Sequence, residues 1–182
     1  GTVEATGSGG RAIHNNGAGT ITVSDNAEVS ATDSSGRAIH NNSGGTITVS
    51  GNAAVSATGS SGYAIYNYST GEVKVEGGEV SATTGNAICN EAGGTITVTG
   101  GKVKATGANS AIYNFSTGSL NISGGTVEAT ASNGRAIYNN STGKITVSGN
   151  ATVTSANTSD TSGTIHLVKV PSAAAVVLEI TG

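Results

Sequence analysis

Ala38-Ile39-His40-Asn41, followed by Ile47-Thr48-Val49 and then by Val55-Ser56-Ala57, is the stretch that decides the fold. In each of the last two segments the apolar residues are two apart. That is the strand period, so both side chains share one face. The same three-part unit recurs along the chain. The tetrad Ala-Ile-x-Asn returns at Ala12–Asn15, Ala64–Asn67, Ala87–Asn90, Ala111–Asn114 and Ala136–Asn139, and successive isoleucines lie 26, 26, 23, 24 and 25 residues apart. Two apolar pairs follow each tetrad, from Ile21/Val23 and Val29/Ala31 to Ile145/Val147 and Val153/Ser155. No helical i, i+3, i+4 pattern runs through these units.

Three short strands per ~25 residues, joined by Gly- and Asn-rich corners, form one coil of a stacked spiral. The chain reads as all-β: a right-handed, single-stranded parallel β-helix of about six to seven coils. The hand follows from the strong preference of crossover connections. Coils start near residues 10, 36, 62, 85, 110 and 134 of a repeat domain spanning 2–162. Residues 163–182 read as a degenerate last coil and an apolar C-terminal cap. There Gly163-Thr164-Ile165-His166 keeps the tetrad's shape without its Asn, Pro171 breaks the pattern, and Ala173–Ile180 is strongly apolar. The opening Thr2-Val3-Glu4-Ala5-Thr6 matches the third strand Thr126–Thr130, so the chain begins mid-repeat and is expected to be a piece of a longer protein.

Composition agrees. Gly, Thr, Ser and Asn make up 95 of 182 residues, and 30 of the 34 Leu, Ile, Val and Phe residues are Ile or Val, the strand formers. A net charge of −3 with 10 % charged residues argues against both disorder and a nucleic-acid partner. No apolar run is long enough to insert in a membrane as a helix. One cysteine excludes an internal disulfide framework.

The spacing also says where corners vary. The tetrad Ile lies eight residues before the second strand in every unit, whereas the other two corners change length by one or two residues. The tetrad asparagines, Asn15, Asn41, Asn67, Asn90, Asn114 and Asn139, are expected to take the left-handed conformation at a corner and to bond one above another as a structural ladder. Several lie in N-x-[ST] sequons, such as Asn67-Tyr68-Ser69, which chance supplies freely in this composition.

Three outward stripes follow. The first is the tetrad's third residue: His14, His40, Tyr66, Cys89, Tyr113 and Tyr138, with Tyr68 and Phe115 just beyond and Arg11, Arg37, Tyr63 and Arg135 just before. Rings beside Arg and Asn suit a flat ligand such as a sugar. Mutual stacking explains the same residues without a ligand. The candidate ligand-binding residues are therefore His14, His40, Tyr66, Tyr113, Tyr138, Tyr68 and Phe115. Cys89 is left open, either outward and reactive or tucked under its neighbours. His14 and His40 lack further ligands, so no metal and no cofactor is expected. The second stripe carries Thr20/Thr22, Thr46/Thr48 and Thr95/Thr97, rows that look like the ice-binding faces of some antifreeze proteins; Glu72, Lys74, Glu76, Asn121 and Lys144 interrupt them. The third carries charges, placing Lys102 beside Glu79 and Lys104 beside Glu128.

Stacked coils, short strands and an Asn ladder give the chain its resemblance to pectate-lyase-like proteins. In that family the chemistry resides in acidic clusters with a basic Arg or Lys under long loops. Here Asp25, Asp33 and Asp160 are scattered in the repeat frame, and no carboxylate pair sits at glycosidase separation around a cleft. No catalytic residue is assigned. More narrowly, Gly44–Gly51, Gly93–Gly100 and Ser61–Asn67 are similar to low-complexity β-helix repeats of bacterial cell-surface and adhesin-like proteins. That resemblance implies a secreted or surface-bound, non-catalytic module for adhesion or spacing, its partner a polysaccharide or a host or cell-surface ligand. A carbohydrate-binding module is the first alternative and a remnant polysaccharide lyase or hydrolase the second. The sequence leaves oligomeric state open.

Overall fold

The computed structural model describes residues 1–158, 163–168 and 177–182, and among these every regular element is a strand. β1 (Thr2–Ala5) precedes the coil of β2 (Arg11–Asn15), β3 (Ile21–Val23) and β4 (Glu28–Ala31). The next coils are β5 (Arg37–Asn41), β6 (Ile47–Val49) and β7 (Ala54–Ala57), then β8 (Tyr63–Asn67), β9 (Val73–Val75) and β10 (Glu79–Ala82). They continue with β11 (Ile88–Asn90), β12 (Ile96–Val98) and β13 (Lys102–Ala105), then β14 (Ser110–Ser116), β15 (Leu120–Ile122) and β16 (Thr126–Ala129). The sixth coil is β17 (Arg135–Ser141), β18 (Ile145–Val147) and β19 (Thr152–Ser155), and β20 (Ile165–Leu167) and β21 (Leu178–Ile180) lie on top of it. Each strand pairs in parallel with the strands three before and three after it, giving three seven-stranded sheets wound as a right-handed β-helix.

Registry is kept across unequal repeat lengths. Ile13↔Ile39↔Ile65↔Ile88↔Ile112↔Ile137↔Ile165 forms one column although the intervening segments differ in length. A slip of one residue would turn each strand's aliphatic set outward, so the length differences are absorbed in corners. Ile39, Ile65, Ile88, Ile96, Ile112, Ile137 and Ile145 are fully buried, with Val49, Val55, Val73 and Val80. The tetrad alanines join them. Ala38, Ala64, Ala87, Ala111 and Ala136 are also completely covered, one more buried group per coil beside the isoleucine and the two apolar pairs. Partner registry runs from Arg37↔Tyr63 straight to Ile39↔Ile65 and passes over the alanine, so two successive side chains point inward. Alternation resumes after them, which sends both Arg37 and His40 outward.

The asparagine ladder is present, for a different reason from the expected one. Positive φ occurs at Asp25, Gly51, Gly78, Gly101, Gly125 and Gly149 in the second corner and at Gly9, Ser35 and Ser61 in the third, never at a tetrad Asn. What selects Asn is its amide. Asn15, Asn41, Asn67, Asn90 and Asn114 each donate from Nδ2 to Oδ1 of the next asparagine at 2.8–2.9 Å. The same Nδ2 donates to the carbonyl four residues on, at Gly19, Gly45, Gly71, Gly94 and Gly118. That clamp holds the first corner's length in five coils, while in the sixth Asn139 donates to Ser141 O. It also demands the glycine, since a Cβ on Gly71 would sit 2.6 Å from Asn41 Nδ2 and 2.2 Å from Gly45 O. Asn67 and Asn114, the asparagines of the sequons Asn67-Tyr68-Ser69 and Asn114-Phe115-Ser116, are fully buried with both N–H groups engaged, so the folded chain presents neither of these two for glycosylation.

Outside, Glu79↔Lys102 and Lys104↔Glu128 are register partners as expected. The ion pairs differ by one partner. Glu128 takes both Lys102 (3.4 Å) and Lys104 (3.5 Å), because it is the diagonal neighbour of one and the direct neighbour of the other. The threonine column reads Thr22, Thr48, Lys74, Thr97, Asn121, Thr146, Glu179, so charges do interrupt it. In the last coil Leu167 occupies the asparagine slot above Asn139. The expected last strand is β21 on β18, while Pro171 and the Ala173–Val176 part of the expected cap lie outside the described residues.

Candidate functional site

The column outside the tetrad sheet is His14, His40, Tyr66, Cys89, Tyr113, Tyr138 and His166, one residue per coil and all in register. His166 extends it by one beyond the sequence reading. Its signal lies in Gly163–His166, where His166 keeps the tetrad's third position although Leu167 replaces the Asn.

The rings touch along the column. His14 stacks on His40 at 4.8 Å, Tyr113 on Tyr138 at 5.0 Å and Tyr138 on His166 at 5.2 Å, each pair within 9° of parallel. His40 meets Tyr66 edge-on at 5.3 Å. Tyr68 and Phe115 extend sideways, lying parallel to Tyr66 and Tyr113 at 6.1 and 6.4 Å. Parallel strands hold equivalent side chains at about the inter-strand spacing of ~4.8 Å, which is also a favourable ring separation. Stacking is therefore the direct consequence of repeating the tetrad.

Cys89 divides the column into two clusters. It is 1 % exposed, so it is tucked under its neighbours, and its thiol donates to Glu91 Oε1 at 3.7 Å. Burial first, and the Glu91 carboxylate second, push that thiol well above its ordinary range. The thiolate needed for nucleophilic or metal chemistry is disfavoured there. Burial also raises Tyr66 to about 12, with Glu91 and Cys89 adding to the effect, and raises Tyr63 and Tyr113.

His40 departs from the outward reading: its ring is on the outer face but only 6 % exposed, covered by the rings on either side. Burial lowers it to about 4, helped by Arg37, Arg11 and His14, so it is neutral near pH 7. Its Nδ1 has no hydrogen-bond partner.

The first cluster encloses a groove of about 290 Å³. Arg11, His14 and Asn42 lie along it, and Arg37, His40, Tyr66 and Tyr68 complete its lining. Arg37 and Arg11 are register neighbours on adjacent coils. The Arg37 guanidinium lies 4.2 Å from the Tyr66 ring centre, close enough for a cation–π contact. Arg135 repeats the arrangement above Tyr138 at 5.3 Å, but its neighbour in the ladder is Ser110. The structure thus gathers His14, His40, Tyr66 and Tyr68 into one groove and leaves Tyr113, Phe115 and Tyr138 in a separate stack. Asn42, the residue after the ladder asparagine, is a lining residue that the sequence reading did not single out.

Among the described residues no three His, Cys, Asp or Glu side chains are grouped as a metal site, and no helix is long and apolar enough to cross a membrane. Comparison with family models, with curated proteins and with solved structures returned no match.

Proposed function

We propose that the chain is a non-catalytic extracellular module of a bacterial surface protein, serving as a rigid spacer or adhesion element. The observation that carries this reading is the uninterrupted registry of three seven-stranded sheets joined by short corners. Such a body is stiff along its axis, and among the described residues its corners raise no wall around a substrate. Seven strands at ~4.8 Å give a sheet width of ~30 Å. Incubation with pectin and related polymers should release neither reducing ends nor unsaturated products. Release of either, abolished by boiling the protein, would replace this reading with the enzymatic one.

The groove favours a second reading, carbohydrate binding, because an exposed tyrosine face beside fixed cations and an amide is what a sugar ring requires. Tyr68 is 56 % exposed, so removing it disturbs little of the fold. On a glycan array, Tyr68→Ala should lose the signal of the parent chain at an unchanged melting temperature. A pure spacer gives no signal with any glycan.

A further inference from the structure

We propose that the groove is an anion subsite, taking an acidic sugar residue with its carboxylate or sulfate between Arg11 and Arg37 and its ring face on Tyr68. This rests on the carbohydrate-binding reading and adds the chemical class of the sugar.

The first ground is charge. The chain carries a formal charge of −3 and has three arginines, yet two of them line this one groove. No carboxylate lines it, and no ion pair among the described residues includes either arginine. Elsewhere among the described residues the lysines are paired, Lys74 with Glu72, Lys102 and Lys104 with Glu128, Lys144 with Glu179, and Arg135 stands alone without a second arginine beside it. Two like charges on register-neighbour residues of adjacent strands repel, and an anion between them relieves that repulsion. A guanidinium also presents a planar fork of donors that matches a carboxylate or sulfate edge.

The second ground is preorganisation. Arg37 is pinned by the Tyr66 face, so little side-chain entropy remains to be lost on binding. Nδ1 of His40, a side chain more than nine-tenths buried in the groove's lining, has no partner, whereas the orphaned Nε is common to Arg37 and Arg135. An unsatisfied polar atom at a groove wall points to a ligand or its water as the missing partner. His40, held neutral, accepts or donates one hydrogen bond without adding charge.

The third ground is shape. Tyr68 lies parallel to Tyr66 at 6.1 Å and is 56 % exposed, so its ring offers a face against which a pyranose packs. Asn42, whose Nδ2 donates to Asn16 Oδ1 at 2.9 Å, also lines the groove and adds an amide to its polar groups.

Arg135 supplies the control inside the same molecule. It stacks on a tyrosine in the same way, but Ser110 stands where a second arginine would be needed. The test is isothermal titration of the chain with three probes: a glucuronate-containing hexasaccharide, a sulfated hexasaccharide and a neutral glucose hexasaccharide. The acidic probes should bind and the neutral one should be at least tenfold weaker. The tighter of the two acidic probes identifies the anion as carboxylate or sulfate. Arg11→Gln should weaken acidic binding about tenfold, and it is the safe variant because Arg11 is exposed and outside the core cluster. Arg37→Gln should weaken it at least as much, and Arg135→Gln should leave it unchanged, with melting temperatures confirming that each variant folds. Equal binding of neutral and acidic probes, insensitive to Arg11→Gln, would overturn the anion subsite while leaving carbohydrate binding standing. No binding of any hexasaccharide would overturn both.

Discussion

Asn41 and His40 are neighbours on one strand and head two columns that run the length of the solenoid, yet the columns differ in kind. The inner one is asparagine from Asn15 to Asn139, five times over bonded amide to amide. The outer one passes from His to Tyr to Cys and back to Tyr and His. Burial accounts for the contrast. Inside, a polar group must satisfy every donor and acceptor from its own stack, and only a side chain with one acceptor and two donors at that reach closes the chain of bonds. Outside, most positions are open to water, which completes what the neighbours leave, so stacking rings and even a thiol are admitted. The outer column is consequently where chemistry can vary and a ligand can be met.

The harshest way to break this contrast is to make the inside wet. Ile96 is fully buried between Val73 and Leu120, and Ile96→Asp places an unpaired charge there. The expected loss exceeds about 4 kcal/mol, enough to abolish the cooperative unfolding transition seen by circular dichroism. A variant that still melts near the parent temperature would show that this face is not the interior.

Next comes the ladder. Asn90→Ala removes bonds to Asn67, Asn114 and Gly94 at 2.7–2.8 Å and strands their polar atoms in a dry core. At ~1–3 kcal/mol for an unsatisfied buried group, a loss of about 3 kcal/mol is expected from urea denaturation. Asn15→Ala, in the first coil and only half-buried, should cost about 1 kcal/mol. Equal losses at the two positions would mean that burial is not what makes the ladder strict.

These two columns were also unequally legible. Ile13 through Ile137 and their paired valines announced the coil by spacing alone, because a period of two inside a period of about 25 admits few folds. The asparagines were legible in place but not in role: a corner Asn suggests left-handed backbone, whereas Gly51, Gly78 and Gly101 take that conformation here. The clue to the amide clamp was Asn41 with Gly45, and Asn67 with Gly71, a fixed offset of four that only acquires meaning once the carbonyl is seen to accept. Burial of His40 and Cys89 was hidden for another reason. Each is covered by rings on adjacent coils, and coverage depends on neighbours 23 to 26 residues away rather than on local pattern. The groove likewise needed Arg11 and Arg37 to be placed on adjacent coils before their shared lack of a carboxylate had consequences.

Acid sharpens the comparison, since it charges the outer column and leaves the amides alone. His40 is lowered from its ordinary 6.5 to about 4, chiefly by burial. The unfolded chain therefore binds a proton that the folded one refuses between those values. The contribution is fully present above about pH 6.5 and is lost as pH falls toward about 4. Carboxylates titrate in the same window, so the measurement is the difference between the parent and His40→Gln in melting temperature at pH 7 and pH 4.5. The parent should lose more on acidification than the variant. Parallel losses would mean that the His40 ring takes up its proton in place.

The gentlest test asks whether the outer column stabilises the coil at all. Tyr138 contacts Tyr113 at 5.0 Å, His166 at 5.2 Å and the Arg135 guanidinium at 5.3 Å, and lies beyond the groove. Each ring pair is worth ~0.5–1.5 kcal/mol beyond its area, and partial exposure reduces what truncation removes. Tyr138→Ala should therefore cost about 1–2 kcal/mol, less than Asn90→Ala although it deletes more atoms. Tyr138→Phe, which keeps the ring and loses a hydroxyl, should cost almost nothing. Were Tyr138→Ala to cost as much as the loss of a central asparagine, the outer stack would be as structural as the inner ladder. The latitude that lets this face meet a ligand would then be gone.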